Sequence, residues 1–220
     1  SYLDPHVSLD DARHVGAADE RVEQITGADV IVLATPVDVA VNILRTLETT
    51  AVVTSTCSVM RALRDVVRGT FVAGHPMAGS HERGLAAARA DLFEGKPWFV
   101  DAEHELVDGL VRDCGAVLER ASADEHDATV ALTSHLPQVL STALAAYLEE
   151  RPEVLRFAGS GLRTFLRLAG SDASVWSSVL DANRDQIVPH ADAVAAIARE
   201  IVDGNASDAF KRAQSFWRKL

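Results

Sequence analysis

Residues 29–58 read DVIVLATPVDVAVNILRTLETTAVVTSTCS, and this stretch decides the fold. Two short runs of β-branched and apolar residues, 29–36 and 51–58, are separated by a segment long enough for a helix. Buried parallel strands appear as continuous apolar runs joined by crossover helices, so the stretch predicts a strand–helix–strand unit. Both runs end in small and polar residues, which predicts candidate site residues at the carboxyl ends of parallel strands.

The same alternation continues along the first half of the chain. Three more short apolar runs predict strands at 70–76, 97–102 and 116–122. From Asp124 onward apolar residues recur three and four positions apart, which indicates helices only. We therefore predict an α/β, nucleotide-binding domain with a parallel sheet over residues 1–123 and an all-helical domain over residues 124–220.

The composition argues against several classes of protein. The formal net charge of −11 disfavours a nucleic-acid partner, because phosphate backbones are bound by clustered Lys and Arg. No apolar run approaches the ~18 residues needed to cross a bilayer, so we expect no membrane partner. Cys57 and Cys114 are too few for a disulfide framework, and no Cys/His spacing is typical of zinc. We expect a cytoplasmic protein with no metal site.

Three turns at the ends of predicted strands concentrate the candidate site residues: LATPVD (33–38), STCSVM (55–60) and GHPMAGS (74–80). Thr35 and Pro36 predict either a cofactor-binding turn or an ordinary proline turn. Ser58 is equally explained as the N-cap of a helix. His75 stands between a glycine and a proline at a strand end, which is an unusual place for a packing residue. We interpret it as a catalytic base, the alternative being a hydrogen-bonded structural histidine.

Four ordered motifs resemble the prephenate and arogenate dehydrogenases of tyrosine biosynthesis. GHPMAGS is similar to the signature turn of that family and LATP to its cofactor turn. DEHDATVALTSHLP (124–137) is similar to the start of its domain-joining helix, and GSGLRTFLRLAGSDASVW (159–176) to its substrate-binding segment. The resemblance implies an NAD-binding Rossmann domain, with NADP as the other possibility, a helical dimerisation domain, and a homodimer that oxidatively decarboxylates prephenate to 4-hydroxyphenylpyruvate.

The resemblance also implies roles for individual residues. By this resemblance, His75 polarises or deprotonates the ring hydroxyl of the substrate, and Ser58 hydrogen-bonds the same hydroxyl. The implied substrate-binding residues are Ser80, His135, Arg163, Arg167 and Trp176. The implied cofactor-binding residues are Asp4, Thr35, Pro36 and Gly79. Asp4 matches the acidic residue that binds the adenosine ribose hydroxyls and favours NAD over NADP.

Two of these assignments have alternatives. Arg163 and Arg167 are four residues apart, so on one helix face their guanidinium groups suit a dicarboxylate substrate, although a solvated helix face has the same pattern. His135 is either an active-site histidine or a hydrogen-bonded residue of the helical core. Gly74 and Gly79 are interpreted as positions where the backbone approaches the substrate and nicotinamide rings.

The sequence departs from the family pattern at several positions. It contains no glycine-rich phosphate loop, and we expect the chain to begin partway through the nucleotide-binding fold, with that loop before Ser1. Ser55, Met60, His81 and Gln138 stand where the family often has an aspartate, a lysine, an acidic residue and a histidine. These departures keep two alternatives open: a dehydrogenase of arogenate or amino-substituted prephenate, and a catalytically inactive homologue that binds a metabolite or a partner.

Overall fold

The computed structural model describes residues 1–79 and 84–220 and divides into two compact units. Unit 1 comprises Ser1–Asp127 and Ser171–Ala182, and unit 2 comprises Ala128–Gly170 and Asn183–Leu220. The contiguous division at residue 123 stays a prediction. The segment Ser171–Ala182 packs with unit 1. Helical periodicity did not indicate this, because the spacing of apolar residues does not specify which surface a helix packs against.

Unit 1 contains two three-stranded sheets flanked by helices. Its elements are α1 (Leu9–His14), β1 (Val30–Leu33), α2 (Val37–Thr46), β2 (Val52–Ser55), α3 (Arg61–Arg64), β3 (Phe71–Val72), β4 (Gly74–Pro76), a 3₁₀ turn (Leu85–Ala87), β5 (Pro97–Val100), α4 (Glu105–Asp113) and β6 (Val117–Arg120). The first sheet is parallel, in the order β1-β2-β3. In the second, β4 is antiparallel to β5 and β5 is parallel to β6. The predicted strand segments are confirmed. The antiparallel β4–β5 pair departs from the expected parallel order, because an apolar run predicts a strand but not its direction in the sheet.

The predicted strand 70–76 is divided at Ala73 between the two sheets. The Ala73 N–H donates to Asp101 Oδ1 at 2.8 Å instead of continuing a strand ladder. Gly74 then lies directly against β2, where a Cβ added to it would be 2.7 Å from the Ser55 carbonyl oxygen. This glycine is therefore required by the approach of two strands, and its interpretation as a site of ligand approach stays a prediction.

The core of unit 1 lies on both faces of the first sheet. β2 is buried along its whole length, as its continuous apolar run predicts. On one face, Leu33 and Val53 pack with α2, α3 and Val179 of α8 (Ala173–Ala182). On the other face, Val52 packs with Val107 of α4. The core holds the carboxyl ends of β1 and β2 in fixed positions.

Every element after β6 is a helix, as predicted, and these helices form unit 2 except for the residues up to Asp127 and the segment Ser171–Ala182. The remaining elements are α5 (Ala123–Val130), a π-helical turn (Ala131–His135), α6 (Leu136–Glu149), a 3₁₀ helix (Pro152–Phe157), α7 (Ser160–Phe165), a 3₁₀ helix (Leu166–Gly170), α8, α9 (Arg184–Glu200), a π-helical turn (Ile201–Asn205) and α10 (Ala206–Trp217). In the part of the chain that the structure describes, no helix combines the length and apolar character needed to span a membrane.

Candidate active site

The turns that follow β1 and β2 lie beside β4. The Sγ–H of Cys57 donates to the carbonyl oxygen of Thr35 at 3.5 Å, which connects the first turn to the second. The hydroxyl of Ser55 donates to the carbonyl oxygen of Gly74 at 3.1 Å, which connects β2 to the third turn. The three turns therefore occupy one edge of unit 1, where an open parallel sheet binds its ligand.

His75 is the central side chain of this edge. It is half-buried in β4, opposite Phe99 of β5. Its Nδ1 atom lies 2.9 Å from Nε2 of His126, and the two rings meet edge to face. The Nδ1 atom of His126 lies 2.8 Å from Oδ1 of Asp127. These contacts form a continuous chain of hydrogen bonds, His75–His126–Asp127, which we call the relay.

Asp127 is the buried end of the relay. Its side chain has no exposed surface, and its two oxygens accept the backbone N–H groups of Met60 and Arg61, each at 2.9 Å. The guanidinium Nε of Arg61 lies 3.7 Å from Oδ2. A carboxyl that accepts on both oxygens acts as an ionised carboxylate. Since Met60 and Arg61 follow Ser58 closely, Asp127 also fixes the segment that presents this serine.

Sequence reasoning missed His126 and Asp127, although both stand in the motif DEHDATVALTSHLP. Neighbouring residues on a helix point in different directions, so their adjacency did not predict a shared contact. Their burial, 3% exposed for His126 and 0% for Asp127, depends on where α5 packs. The one sequence signal for a functional role of these two residues was a His–Asp pair inside a motif that resembles the family.

The predicted cofactor-binding residues have distinct environments, and Asp4 lies apart from the three turns, near the start of the chain. Asp4 is half-buried and lines a cavity of about 570 Å³ together with Leu3, Leu9 and Arg21. The apolar side chains of this lining, beside the Asp4 carboxylate, fit the base and ribose of an adenosine, and Ser8 and Glu23 add further polar groups. Arg21 adds a guanidinium group to the same cavity, which is the group that would accommodate a ribose phosphate.

The remaining predicted cofactor-binding residues, Thr35, Pro36 and Gly79, carry no charge. Thr35 is half-buried at the end of β1, and Pro36 is the exposed N-cap of α2. Gly79 is exposed, and a Cβ added to it would meet no atom within 4 Å, so none of the described residues requires glycine there. Ser80 lies outside the described residues. Within those residues, no group of three or more His, Cys, Asp or Glu side chains is arranged to hold a metal ion.

Arg163 and Arg167 do not share one continuous α-helix. Arg163 lies in α7, which ends at Phe165, and Arg167 lies in the following 3₁₀ helix. Leu166 has φ −82° and ψ 3°, which ends the α-helical geometry between them. The expectation of a shared α-helical face is therefore wrong, because a 3₁₀ helix has three residues per turn. Both arginines are exposed members of unit 2, and their binding of a dicarboxylate stays a prediction.

His135 and Trp176 lie in packed surroundings. His135 is 1% exposed in unit 2, and its Nδ1 accepts the side-chain N–H of Asn183 at 3.2 Å. This environment matches the alternative of a hydrogen-bonded core histidine. Trp176 is half-buried on α8 and packs against the core of unit 1. Their roles in substrate binding stay predictions.

Residues 4–119 match the family model described as prephenate dehydrogenase, nucleotide-binding domain, and residues 122–214 match prephenate dehydrogenase, dimerization domain. The chain belongs to the prephenate dehydrogenase family. The predicted fold, a Rossmann-type parallel-sheet domain followed by a helical dimerisation domain, is thereby confirmed.

Two curated members of the family illustrate the likeness. The prephenate dehydrogenase of Lactococcus lactis subsp. cremoris is 31% identical over 191 residues, which cover 78% of this chain and 54% of the relative. That of Bacillus subtilis is 29% identical over 197 residues, which cover 80% of this chain and 53% of the relative. The chain spans about half the length of these curated relatives.

Solved structures of the family share the fold. Prephenate dehydrogenase from Aquifex aeolicus has a TM-score of 0.83 and 25% identity, covering 99% of this chain and 88% of that chain. A structure of the A. aeolicus enzyme in complex with hydroxyphenyl propionate and NAD+ has a TM-score of 0.78 and 26% identity, covering 96% and 84% of the two chains.

One departure from the family pattern has a clear structural use. Gln138, where the family often has a histidine, is buried in α6 and donates from Nε2 to the Leu168 carbonyl at 2.8 Å. The hydroxyl of Ser141, one turn later, donates to the Phe165 carbonyl at 3.0 Å. These two bonds flank Arg167, so α6 determines where its backbone lies in unit 2.

Proposed function

We propose that this protein is an NAD-dependent prephenate dehydrogenase that forms 4-hydroxyphenylpyruvate and carbon dioxide in tyrosine biosynthesis. The observation that carries the proposal is the position of His75, in a turn at the sheet edge with a buried His126–Asp127 pair behind it. Family membership supports an oxidoreductase. The choice of prephenate rests on the chemistry that this imidazole and the two exposed arginines offer.

The reaction requires a base that takes up a proton and returns it. Prephenate loses a hydride from the carbon that carries its ring hydroxyl, and the electron pair of its ring carboxylate bond enters the ring as carbon dioxide leaves. His75 accepts the hydroxyl proton as the hydride departs, and returns it to the oxygen of the aromatic product. General base help of this kind contributes ~10² to 10⁴ in rate. Ser58 donates a hydrogen bond that orients the same hydroxyl.

The residues of unit 1 fit a dinucleotide. Asp4 would hold the adenosine ribose hydroxyls in its cavity, and the turn at Thr35 and Pro36 would lie along the rest of the cofactor. NAD+ when bound supplies the hydride acceptor. The carboxylate of Asp4 favours NAD, and Arg21 in the same cavity makes NADP the alternative.

The two carboxylates of the substrate require cations. Arg167 presents a planar guanidinium fork that binds a carboxylate through two hydrogen bonds, and Arg163 supplies a second one nearby in sequence. The bond from Gln138 to the Leu168 carbonyl holds the backbone next to Arg167. An amino group in place of the side-chain keto group, as in arogenate, changes neither carboxylate, so arogenate is the alternative substrate.

The active form is a homodimer in the cytoplasm. The dimerization-domain match supports pairing. Large apolar side chains remain exposed on unit 2, among them Leu155 at 69%, Phe157 at 75% and Trp217 at 74%, and a second copy would cover such a surface. Cys57 and Cys114 are both free thiols, which supports a reducing compartment.

The test is a product assay on the purified protein. NADH formation and release of 4-hydroxyphenylpyruvate are measured with prephenate and NAD+, and the same assay is run with arogenate and with NADP+. We expect turnover with prephenate and NAD+ to exceed that with the other combinations. Preferred turnover of arogenate would replace the substrate assignment, and no oxidation of either compound would overturn the enzyme proposal.

A further inference from the structure

We propose that His126 and Asp127 act as positioning residues that fix His75 in its Nδ1–H tautomer, so that Nε2 is the basic nitrogen. The inference deepens the proposed function, on which its catalytic consequence rests. The tautomer itself follows from the hydrogen bonds of the relay. It is therefore testable without substrate.

The assignment begins at Asp127. Both of its oxygens already accept backbone N–H groups, from Met60 and Arg61. An ionised carboxylate offers only acceptors, so the 2.8 Å contact between its Oδ1 and His126 Nδ1 requires a proton on that nitrogen. In a neutral imidazole the other nitrogen then carries the lone pair. His126 Nε2 is therefore an acceptor.

The tautomer of His75 follows from that of His126. The 2.9 Å contact between His126 Nε2 and His75 Nδ1 needs one donor, and His126 supplies the acceptor. His75 Nδ1 therefore carries the proton, and the lone pair of its neutral ring stands on Nε2. The ring of Phe99, 5.9 Å from that of His126 between centroids, supports the orientation of the middle ring from β5.

The relay also serves the charged state of His75. When Nε2 takes up the hydroxyl proton, the imidazolium keeps its Nδ1–H bond to a histidine that is itself hydrogen-bonded to a buried anion. That arrangement stabilises positive charge on His75 more than His126 and Asp127 would if water separated them from its ring. The two backbone bonds of Asp127 hold the segment after Ser58, so one carboxylate positions both residues assigned to the substrate hydroxyl.

The primary test is ¹⁵N NMR of the histidine rings in the ligand-free protein at a pH where the rings are neutral. The signals of His75 are assigned by their loss in His75→Gln. We expect a protonated Nδ1 and an unprotonated Nε2 in the wild type. A wild-type ring with its proton on Nε2 overturns the proposal.

Two variants of His126 provide matched comparisons. His126→Leu removes the acceptor, so we expect His75 to populate the Nε2–H tautomer. His126→Gln places a carbonyl oxygen where it can accept the Nδ1–H, so we expect the wild-type tautomer to be retained. An unchanged tautomer in a folded His126→Leu protein overturns the proposal. If that variant does not fold, the wild-type and Gln spectra still decide it.

Kinetics separate failure of the relay from failure of the proposed function. In an active enzyme, we expect His126→Leu to lower kcat about 10²-fold with little change in KM, and His126→Gln to recover part of the loss. A kcat within twofold of wild type in the Leu variant overturns the catalytic consequence. The predicted tautomer in a protein that does not oxidise prephenate would leave the relay intact and overturn the proposed function alone.

Discussion

The Nδ1 atom of His75 lies 2.9 Å from Nε2 of His126, although 51 residues separate them in the chain. The contact joins a short strand at the sheet edge to the first helix after β6. Behind it, Asp127 fixes the segment that follows Ser58. Three separate parts of unit 1 therefore determine the position of the proposed base: β4, α5 and the segment that follows Ser58.

The first prediction concerns His75. His75→Asn removes the base while keeping a polar side chain of similar shape, so we expect turnover of prephenate to fall at least ~10²-fold with substrate affinity nearly unchanged. Steady-state kinetics and isothermal titration of prephenate measure the two effects. His14→Asn, at an exposed position in α1, is the matched control and should have wild-type activity. Undiminished turnover in His75→Asn would remove His75 from the chemistry.

The second prediction concerns Arg167. Arg167→Lys keeps the charge but loses the planar fork, and a hydrogen bond to a charged group contributes ~1.5–3 kcal/mol, so we expect KM for prephenate to rise about tenfold or more. The effect on kcat should be small. Arg199→Lys, the same change at an exposed position in α9, serves as the control. A normal KM in Arg167→Lys would show that this arginine does not bind the substrate.

The third prediction concerns Gly74. A Cβ at this position would lie 2.7 Å from the Ser55 carbonyl oxygen, a backbone atom of the central strand. Since neither strand can move freely, we expect Gly74→Ala to lower the free energy of unfolding by about 1–3 kcal/mol. Gly109→Ala in α4, where a Cβ meets nothing within 4 Å, should instead raise it by about 0.5–1 kcal/mol. Urea denaturation of both variants checks the opposite signs.

The fourth prediction concerns stability at alkaline pH. Burial raises the pKa of the Cys57 thiol from 9.0 to about 11. The unfolded chain then releases this proton at lower pH than the folded protein, so the contribution to stability is complete below pH 9 and is lost as pH rises through about 11. Between about pH 8 and about pH 10.5, we expect wild type to lose about 2 kcal/mol more than Cys57→Ala. Equal losses in the two proteins would contradict this.

The fifth prediction concerns assembly. The exposed apolar side chains of unit 2 predict a stable, symmetric dimer whose interface exceeds ~2,000 Å². Sedimentation equilibrium at micromolar concentration should give twice the chain mass of 23.6 kDa. Introducing a charge at one such position, Phe157→Asp, should shift the protein toward monomer, because an unpaired charge inside an interface is strongly unfavourable. A wild-type mass of one chain, unchanged as concentration rises, would refute the dimer.

Much of the fold follows from local sequence patterns. The apolar runs at 29–36 and 51–58 predict β1 and β2 because a strand buried on both faces must be apolar throughout. After residue 123 apolar residues recur three and four positions apart instead, which predicts helices because that spacing places them on one helix face. Three features of the fold escaped prediction. They are the division of strand 70–76 at Ala73, which depends on the distant side chain of Asp101, the antiparallel β4–β5 pair, and the packing of Ser171–Ala182 with unit 1.

The sequence by itself determined the family, the fold and the candidacy of His75, because motif composition and hydrophobic period are properties of short segments. Only the tertiary structure decided that His75 contacts His126, that Asp127 is fully buried, and that the α-helix ends between Arg163 and Arg167. Hydrogen bonds between residues far apart in the chain depend on how whole helices and strands pack. The spacing of residues along the chain does not specify that packing, so the relay behind the proposed base could be identified only from the tertiary structure.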